Sequence, residues 1–288
     1  MITNIFIMEF IKEEIENYIQ EKEITKNLNG KIIGLLFYEP STRTRVSFEV
    51  AVKKMGGDTV LVNELFSSHQ KGESIEDTVK TMECYCDALV IRHPEKNIMK
   101  RILQVAKKPI INAGDGDGTH PTQALLDIYT VYKHFNNITK LTYTFVGDLK
   151  YSRTVHSFIK ILALYSNIRV YLISPEELRL PDEYKEMLYR SNSIYYERYE
   201  LDQDVLAVTN VLYMTRLQKE RFSHESIQTN FILNKEKMML ANKNMIVLHP
   251  FPRNEEISPE IDDDPRCKYI EQMKNGLYIR MRILEEIF

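Results

Sequence analysis

Short apolar runs alternate with stretches of helical periodicity along most of the 288-residue chain. Each run is between four and seven residues long, which is typical of a buried strand and too short for a helix. Strands that alternate with helices indicate a parallel sheet with helical crossover connections. The alternation resumes after the polar segment 136–140. The sequence therefore predicts an α/β fold with two domains, each a parallel β-sheet flanked by helices.

The same patterns predict where the elements lie. The expected strands cover residues 32–38, 58–62, 88–91, 109–112, 142–146, 168–173, 194–199, 211–214 and 245–248. The expected helices cover residues 1–22, about 46–55, 74–83, 95–106, 122–135, a stretch from about 152, 182–189 and 276–288.

The segment between the first strand and its helix reads Ser-Thr-Arg-Thr-Arg, residues 41–45. Hydroxyls and backbone N–H groups cluster where a helix begins, and the helix dipole adds positive potential there. Arg43 adds a planar guanidinium that matches phosphate oxygens. A single Ser or Thr at this place is typical of an ordinary helix N-cap. Three hydroxyls interleaved with two arginines favour an anion site instead.

Other polar motifs also follow apolar runs. Open α/β sheets bind ligands at the carboxyl ends of their strands, so these motifs are candidate binding segments. They lie at residues 92–94, 114–121, 147–150, 215–218 and 249–253.

Composition excludes several classes of protein. The net charge is −3 and the pI is about 6.2, so no global field favours nucleic acid or an anionic membrane. No apolar run reaches the ~18 residues of a membrane span. Residues 1–22 lack a basic n-region and a cleavage site, which predicts a helix rather than a signal peptide.

The number and spacing of the cysteines argue against a zinc site and against a disulfide framework. The three cysteines are Cys84, Cys86 and Cys267, and no CxxC pair is present. An odd count without such a pair favours a reducing compartment. Cys84 and Cys86 can in principle bind a metal, but structural zinc takes four ligands, so packing is the favoured interpretation.

Seven motifs in order carry a resemblance to a known family. They are EPSTRTR-x-SFE (39–49), KGES (71–74), RHP (92–94), NAGDG-x-x-x-HPTQ-x-LLD (112–127), VGDLKYSRTVHS (146–157), LYMTRLQKER (212–221) and LHPFPR (248–253). With them the chain resembles, over nearly its whole length, the catalytic chains of the aspartate carbamoyltransferase family, within the aspartate/ornithine carbamoyltransferase superfamily.

The resemblance implies a transferase of pyrimidine biosynthesis. Such an enzyme moves the carbamoyl group of carbamoyl phosphate to the α-amino group of L-aspartate, giving N-carbamoyl-L-aspartate and phosphate. The resemblance further implies a cytoplasmic homotrimer with shared active sites, no cofactor and no metal. A regulatory chain is a further candidate partner.

The resemblance also implies one binding domain for each substrate and a C-terminal helix. Residues 1–135 would bind carbamoyl phosphate and residues 136–275 would bind aspartate. Residues 276–288 would form a C-terminal helix that packs back on the first domain.

Individual roles follow from the matched motifs. The implied catalytic residues are Arg43, Thr44, Lys71, Arg92 and His120. Carbamoyl phosphate would contact Ser41, Thr42, Arg43, Thr44, Ser67, Lys71, Arg92, His120, Gln123 and the carbonyl groups around Pro250 and Phe251. Among these, Thr44, Arg92 and His120 would point at the carbamoyl oxygen. Gln123 and the two carbonyls would hold the carbamoyl NH2 group.

The remaining implied roles concern aspartate and domain closure. Aspartate would be bound by Lys71, Arg153, Arg216 and Gln218. Glu39 would bridge to Arg153 and Arg221 when the domains close. Ser67 and Lys71 would come from the neighbouring subunit.

Two rival interpretations compete with this one. Ornithine carbamoyltransferases share the STRTR and HPTQ elements, but they carry a cysteine where this chain has Pro250, and a Trp-containing loop, whereas this chain has no Trp. A cationic side chain would also be repelled by Arg216. The other rival is a non-catalytic relative that keeps the fold. The presence of all the cationic residues that the resemblance assigns to the site argues against it.

Overall fold

The structure is a computed structural model that describes residues 11–63, 72–116, 119–217 and 231–288. It divides into two compact units. Among the described residues, the first takes those within Glu16–Leu126 and Lys274–Phe288, and the second takes those within Ile11–Ile15 and Asp127–Met273. The assignment of carbamoyl phosphate and aspartate to separate domains stays a prediction.

The first unit is built on a parallel sheet. Its strands β1 (Ile32–Phe37), β2 (Asp58–Asn63), β3 (Ala88–His93) and β4 (Ile110–Asp115) lie in the order β2-β1-β3-β4. The connecting helices are α2 (Thr42–Lys54), α3 (Ile75–Glu83) and α4 (Ile98–Val105), and α5 (Pro121–Phe135) follows β4. Every residue of β3 and β4 is buried, as expected where helices cover both faces of a parallel sheet.

The second unit contains another parallel sheet. Its strands are β5 (Thr142–Val146), β6 (Arg169–Ile173), β7 (Ile194–Arg198), β8 (Val211–Met214) and β9 (Ile246–Leu248), in the order β7-β6-β5-β8-β9. The described helices between them are α6 (Arg153–Leu162), α7 (Asp182–Arg190), α8 (Gln203–Val208) and α9 (Lys235–Leu240). Val146, Leu212, Val247 and Met238 belong to one buried core cluster, which joins this sheet to α9.

The last helix, α10 (Tyr269–Ile287), returns to the first unit. The guanidinium of Arg280 lies 5.2 Å from the ring centroid of Phe48 in α2. Gly276 packs against Leu126 of α5, and a Cβ at this glycine would lie 3.0 Å from Leu126 Cδ2. Helix α1 (Lys12–Ile19) is the described part of the predicted N-terminal helix.

The predicted fold class is confirmed: both sheets are parallel, and the C-terminal helix packs on α2 and α5. All nine expected strands occur in the described segments, with ends that shift by at most three residues. Two short helices, α8 and α9, are not predicted by the sequence patterns. Helix α10 begins at Tyr269 rather than at residue 276.

Within the segments that the structure describes, no helix is long and apolar enough to span a membrane. In those same segments, no group of three or more His, Cys, Asp or Glu side chains is placed to hold a metal ion. Cys86 is buried and Cys84 is exposed, each as a free thiol.

Candidate active site

The first candidate segments meet where the strand order of the first sheet reverses. From β1 the chain passes to β2 on one side, whereas β3 lies on the other side. Phe37 of β1 pairs with Arg92 of β3, and the Tyr38 N–H donates to the Arg92 carbonyl at 2.9 Å. The STRTR segment and Arg92 therefore leave the sheet at the same carboxyl edge, at the switch point where open α/β sheets bind ligands.

Ser41 occupies the N-cap position of α2, but its side chain makes no capping hydrogen bond. An ordinary cap would accept from a backbone N–H of the first turn. The hydroxyl is therefore not used by the helix, and the exposed Thr42 and Arg43 follow it directly. The first N–H groups of a helix have no partner inside it, so the start of this 13-residue helix carries backbone donors of the kind that bind anions.

Three side chains from successive strand ends form a buried polar cluster beside that helix start. Thr44 Oγ1 lies 3.4 Å from His120 Nε2, and Arg92 Nη1 lies 3.4 Å from the same nitrogen. Arginine only donates, so Nε2 accepts in its contact with Arg92. The hydroxyl and the guanidinium are donors of the kind that stabilise negative charge developing on a carbonyl oxygen.

Arg92 is held by several neighbours. Its Nη1 donates to the Ala113 carbonyl at 3.4 Å, and its Nε lies 3.0 Å from Glu39 Oε2. Gly114 has φ +133°, and a Cβ there would lie 3.4 Å from Arg92 Nη1. Glycine thus provides the backbone conformation that this position needs beside the guanidinium.

The described ion pair of Glu39 is therefore with Arg92, inside the first unit. Its predicted bridge to Arg153 and Arg221 stays a prediction, and Arg221 lies outside the described residues. Ser67, Lys71 and Gln218 also lie outside them. Gln123 is buried in the first turn of α5, where its N–H donates to the His120 carbonyl at 3.0 Å.

In the second unit, the candidate residues follow three neighbouring strands. Arg153, Arg216 and the Pro250–Phe251 pair come after β5, β8 and β9, which are adjacent in the sheet. Gly147 has φ +119°, and a Cβ there would collide with the Thr215 carbonyl. The loops after β5 and β8 therefore approach closely, which places both arginines at one edge of this sheet.

Sequence patterns missed a buried network beneath the loop after β9. His249 Nε2 lies 2.7 Å from Glu256 Oε1, and the His249 N–H donates to Gln272 Oε1 at 2.9 Å. Gln272 Nε2 donates to Asp127 Oδ1 at 2.6 Å, and the Tyr213 hydroxyl donates to Asp127 Oδ2 at 2.7 Å. Burial, together with the neighbouring Asp127 carboxylate, raises the pKa of Tyr213 well above its usual value.

Two family models match this chain consecutively. Residues 7–133 match the carbamoyl-P binding domain of aspartate/ornithine carbamoyltransferases, and residues 139–287 match their Asp/Orn binding domain. The chain belongs to the aspartate/ornithine carbamoyltransferase family. The family resemblance predicted from the seven motifs is thereby confirmed.

Curated relatives fall into two kinds. The multifunctional protein pyr1-3 of Dictyostelium discoideum is 49% identical over 91% of this chain, but this chain spans only 12% of that protein. The aspartate carbamoyltransferase catalytic subunit of Clostridium acetobutylicum is 42% identical, over 97% of this chain and 95% of that subunit.

Solved structures of the family are also similar. Aspartate transcarbamoylase of Trypanosoma cruzi in complex with carbamoyl phosphate has a TM-score of 0.88 and 36% identity, covering 97% of this chain and 94% of that one. The same enzyme in complex with carbamoyl aspartate and phosphate has a TM-score of 0.85 and 39% identity, covering 96% and 89%.

Proposed function

We propose that this chain is an aspartate carbamoyltransferase of de novo pyrimidine biosynthesis. It transfers the carbamoyl group from carbamoyl phosphate to the α-amino group of L-aspartate, and N-carbamoyl-L-aspartate and phosphate are the products. The observation that carries the proposal is the buried cluster of Thr44, Arg92 and His120 beside the uncapped start of α2.

The chemistry suits that cluster. A neutral amine attacks the carbamoyl carbon, and negative charge develops on the carbonyl oxygen before phosphate leaves. Thr44, Arg92 and His120 face that oxygen, and losing a donor such as the Thr44 hydroxyl or the Arg92 guanidinium typically costs about 2.7–4 kcal/mol. Ser41, Thr42 and Arg43 hold the phosphate, whose oxygens accept the amine proton as it departs. Holding both substrates in place contributes on a comparable or larger scale.

Aspartate recognition is assigned to the second unit. Arg153 binds the α-carboxylate, and Arg216 with Gln218 binds the side-chain carboxylate. The two arginines follow adjacent strands, which supports a pair of cations for a dicarboxylate. The protein as a whole carries a net charge of −3, so this cationic set is a local feature. An ornithine side chain would meet repulsion at Arg216.

The assembly that we propose is a cytoplasmic homotrimer. Ser67 and Lys71 of one chain complete the site of its neighbour, and a regulatory chain is a candidate further partner. The seven-motif resemblance is the support for this assembly.

A two-substrate assay tests the function. The purified protein receives carbamoyl phosphate with either L-aspartate or L-ornithine, and carbamoyl aspartate and citrulline are measured. We expect carbamoyl aspartate alone. Citrulline as the main product would identify the ornithine enzyme, and no product from either acceptor would support the non-catalytic relative.

A further inference from the structure

The ring of His249 is fixed by hydrogen bonds at both nitrogens. Its Nδ1 accepts the Phe251 N–H at 2.8 Å, and its Nε2 lies 2.7 Å from Glu256 Oε1. Because Nδ1 accepts, it carries no proton, and the ring's N–H is at Nε2, where it donates to the carboxylate. His249 is fully buried, so water does not compete for either contact.

Glu256 is kept in the form that this arrangement needs. Burial acts to raise the pKa of Glu256, but the hydrogen bonds from His249 and from the backbone N–H groups of Asn254 and Glu256 outweigh it and lower the pKa below its usual value. The group is therefore a carboxylate at neutral pH. A carboxylate only accepts, so it selects the His249 tautomer whose proton is on Nε2.

The backbone of His249 is anchored separately. Its N–H donates to Gln272, which in turn donates to the fully buried Asp127. The histidine ring is thus held between a fixed main chain and a fixed carboxylate. His249 Nδ1, which accepts the Phe251 N–H, is therefore held in one place.

That acceptor orients a carbonyl group. The N–H of Phe251 and the C=O of Pro250 belong to one planar peptide and point in opposite directions when the bond is trans. Phe251 also has φ +57°, a left-handed conformation that a non-glycine residue adopts only when its surroundings hold it there. Binding of this N–H by His249 therefore aims the Pro250 carbonyl away from the ring.

We propose that Glu256, acting through His249, is a positioning residue that aims the Pro250 carbonyl at the NH2 group of carbamoyl phosphate. The inference rests on the proposed function, which assigns the carbonyls of Pro250 and Phe251 to that NH2 group. The inference adds that the hydrogen bond from the Phe251 N–H to His249 gives the Pro250 carbonyl a defined direction. It also identifies this network as a determinant of substrate choice.

Acetyl phosphate is the probe for this role. It carries a methyl group where carbamoyl phosphate carries NH2, and a methyl group donates no hydrogen bond to a carbonyl. An aimed carbonyl therefore favours carbamoyl over acetyl phosphate, while the affinity for inorganic phosphate does not depend on it. The ratio of the dissociation constants of acetyl phosphate and carbamoyl phosphate therefore reports whether the Pro250 carbonyl is oriented toward the NH2 group.

A matched pair of variants at one position separates positioning from packing. In His249→Asn, the side-chain oxygen takes the place of Nδ1 and accepts the N–H two residues later, as in an Asx turn. In His249→Gln, the amide reaches the place of Nε2 and contacts Glu256, but no acceptor stands at Nδ1. We expect His249→Gln to lose about tenfold in the carbamoyl-to-acetyl preference and His249→Asn to keep most of it.

Glu256→Gln is the second variant, with Glu255→Gln on the exposed neighbouring position as its control. A glutamine amide also donates, so the ring is free to move its proton to Nδ1 and the acceptor for Phe251 is lost. Nitrogen-15 NMR of labelled histidine reports this tautomer directly, without reference to activity. We expect the Nε2–H form in the wild-type and Glu255→Gln proteins, and a mixture in Glu256→Gln.

The outcomes are distinct. Equal loss of preference in both His249 variants, an unchanged preference in His249→Gln, or a wild-type ring protonated at Nδ1 would each overturn the inference. A parallel loss of affinity for inorganic phosphate would also overturn it, because it would indicate a general structural role. Failure of the proposed function looks different: the wild-type protein itself would form no carbamoyl aspartate.

Discussion

The side chains at the start of α2 carry the proposed anion site, for which an ordinary helix cap is the alternative. Ser41 stands at the cap position, but its side chain accepts no hydrogen bond from the first turn of the helix. Its hydroxyl is therefore not used as a helix cap, which agrees with the proposed anion site.

Arg43→Ala tests that conclusion. Removing the guanidinium takes away a charged hydrogen-bond donor from the reacting group, so turnover should fall by roughly 10²–10³-fold. Arg45→Ala is the matched control, because Arg45 pairs with Glu49 at 3.1 Å on the same helix. Steady-state formation of carbamoyl aspartate is the measurement. Near wild-type turnover in Arg43→Ala would move the phosphate site elsewhere.

Arg216→Ala tests the aspartate assignment. The Michaelis constant for aspartate should rise by at least tenfold and turnover should fall, since a carboxylate loses its charged partner. Binding of carbamoyl phosphate alone should change little. Arg190→Ala serves as the control, because Arg190 is an exposed residue that pairs with Glu186 at 2.6 Å on α7. An unchanged aspartate response in Arg216→Ala would remove this residue from the site.

Much of the candidate site was predictable because it lies at strand ends. Thr44 and His120 follow β1 and β4, and Arg92 lies at the end of β3, so the strand pattern alone places them at one edge of a parallel sheet. The network under the loop after β9 has no such signal. Gln272 and Asp127 are 145 positions apart, and only the folded chain brings them together.

The differences between the predicted and the observed secondary-structure elements also have physical causes. Helices α8 and α9 have six residues each, too few for an apolar periodicity, and their signals are the caps Asp202 and Asn234. Glycine disfavours helix interiors, but Gly276 lies inside α10, which begins at Tyr269. A Cβ at Gly276 would lie 3.0 Å from Leu126 Cδ2, so the close packing of α10 on α5 favours glycine at this position.

The carboxylate of Glu285 binds helix α10 to the segment before β1. Glu285 Oε1 accepts from the Thr25 N–H at 2.8 Å and from the Lys26 N–H at 3.2 Å, and Oε2 lies 2.6 Å from Arg282 Nη1. Burial acts to raise the pKa of Glu285, but the hydrogen bonds from Thr25 and Lys26 outweigh it and lower the pKa.

Glu285→Gln should therefore lower the free energy of unfolding by about 1.5–3 kcal/mol at neutral pH, since hydrogen bonds to a charged group are lost. The folded-state pKa lies below the unfolded value, so this stabilisation is present above the unfolded pKa, roughly 4.3. It disappears as the pH falls through the folded pKa.

Urea unfolding at a series of pH values measures the difference, which should be largest at neutral pH and shrink in acid. Glu286→Gln is the control, because Glu286 is the exposed next residue. A difference between Glu285→Gln and the wild type that stays constant down to pH 3 would contradict the charged anchor.

At the scale of the whole molecule, complementation between two inactive variants tests the shared site of the proposed trimer. Lys71→Ala and Arg43→Ala proteins should each be nearly inactive. Dissociated and reassembled together, they form mixed trimers in which one chain supplies an intact Arg43 and its neighbour an intact Lys71. We expect such trimers to recover activity at one site each. Mixed trimers, identified by mass, that stay inactive would show that Lys71 serves its own chain.

The first unit takes its residues from two distant parts of the sequence, Glu16–Leu126 and Lys274–Phe288. A ribosome therefore delivers its sheet long before Ile279, Ile283 and Leu284, which are fully buried in the finished fold. Apart from Ile11–Ile15, the second unit is one continuous stretch, Asp127–Met273, and its strands are all made before α10 is complete. Domains usually mature from the amino terminus during synthesis. In this chain the later unit is the first to have all of its residues, and the earlier unit waits for the last helix to leave the ribosome.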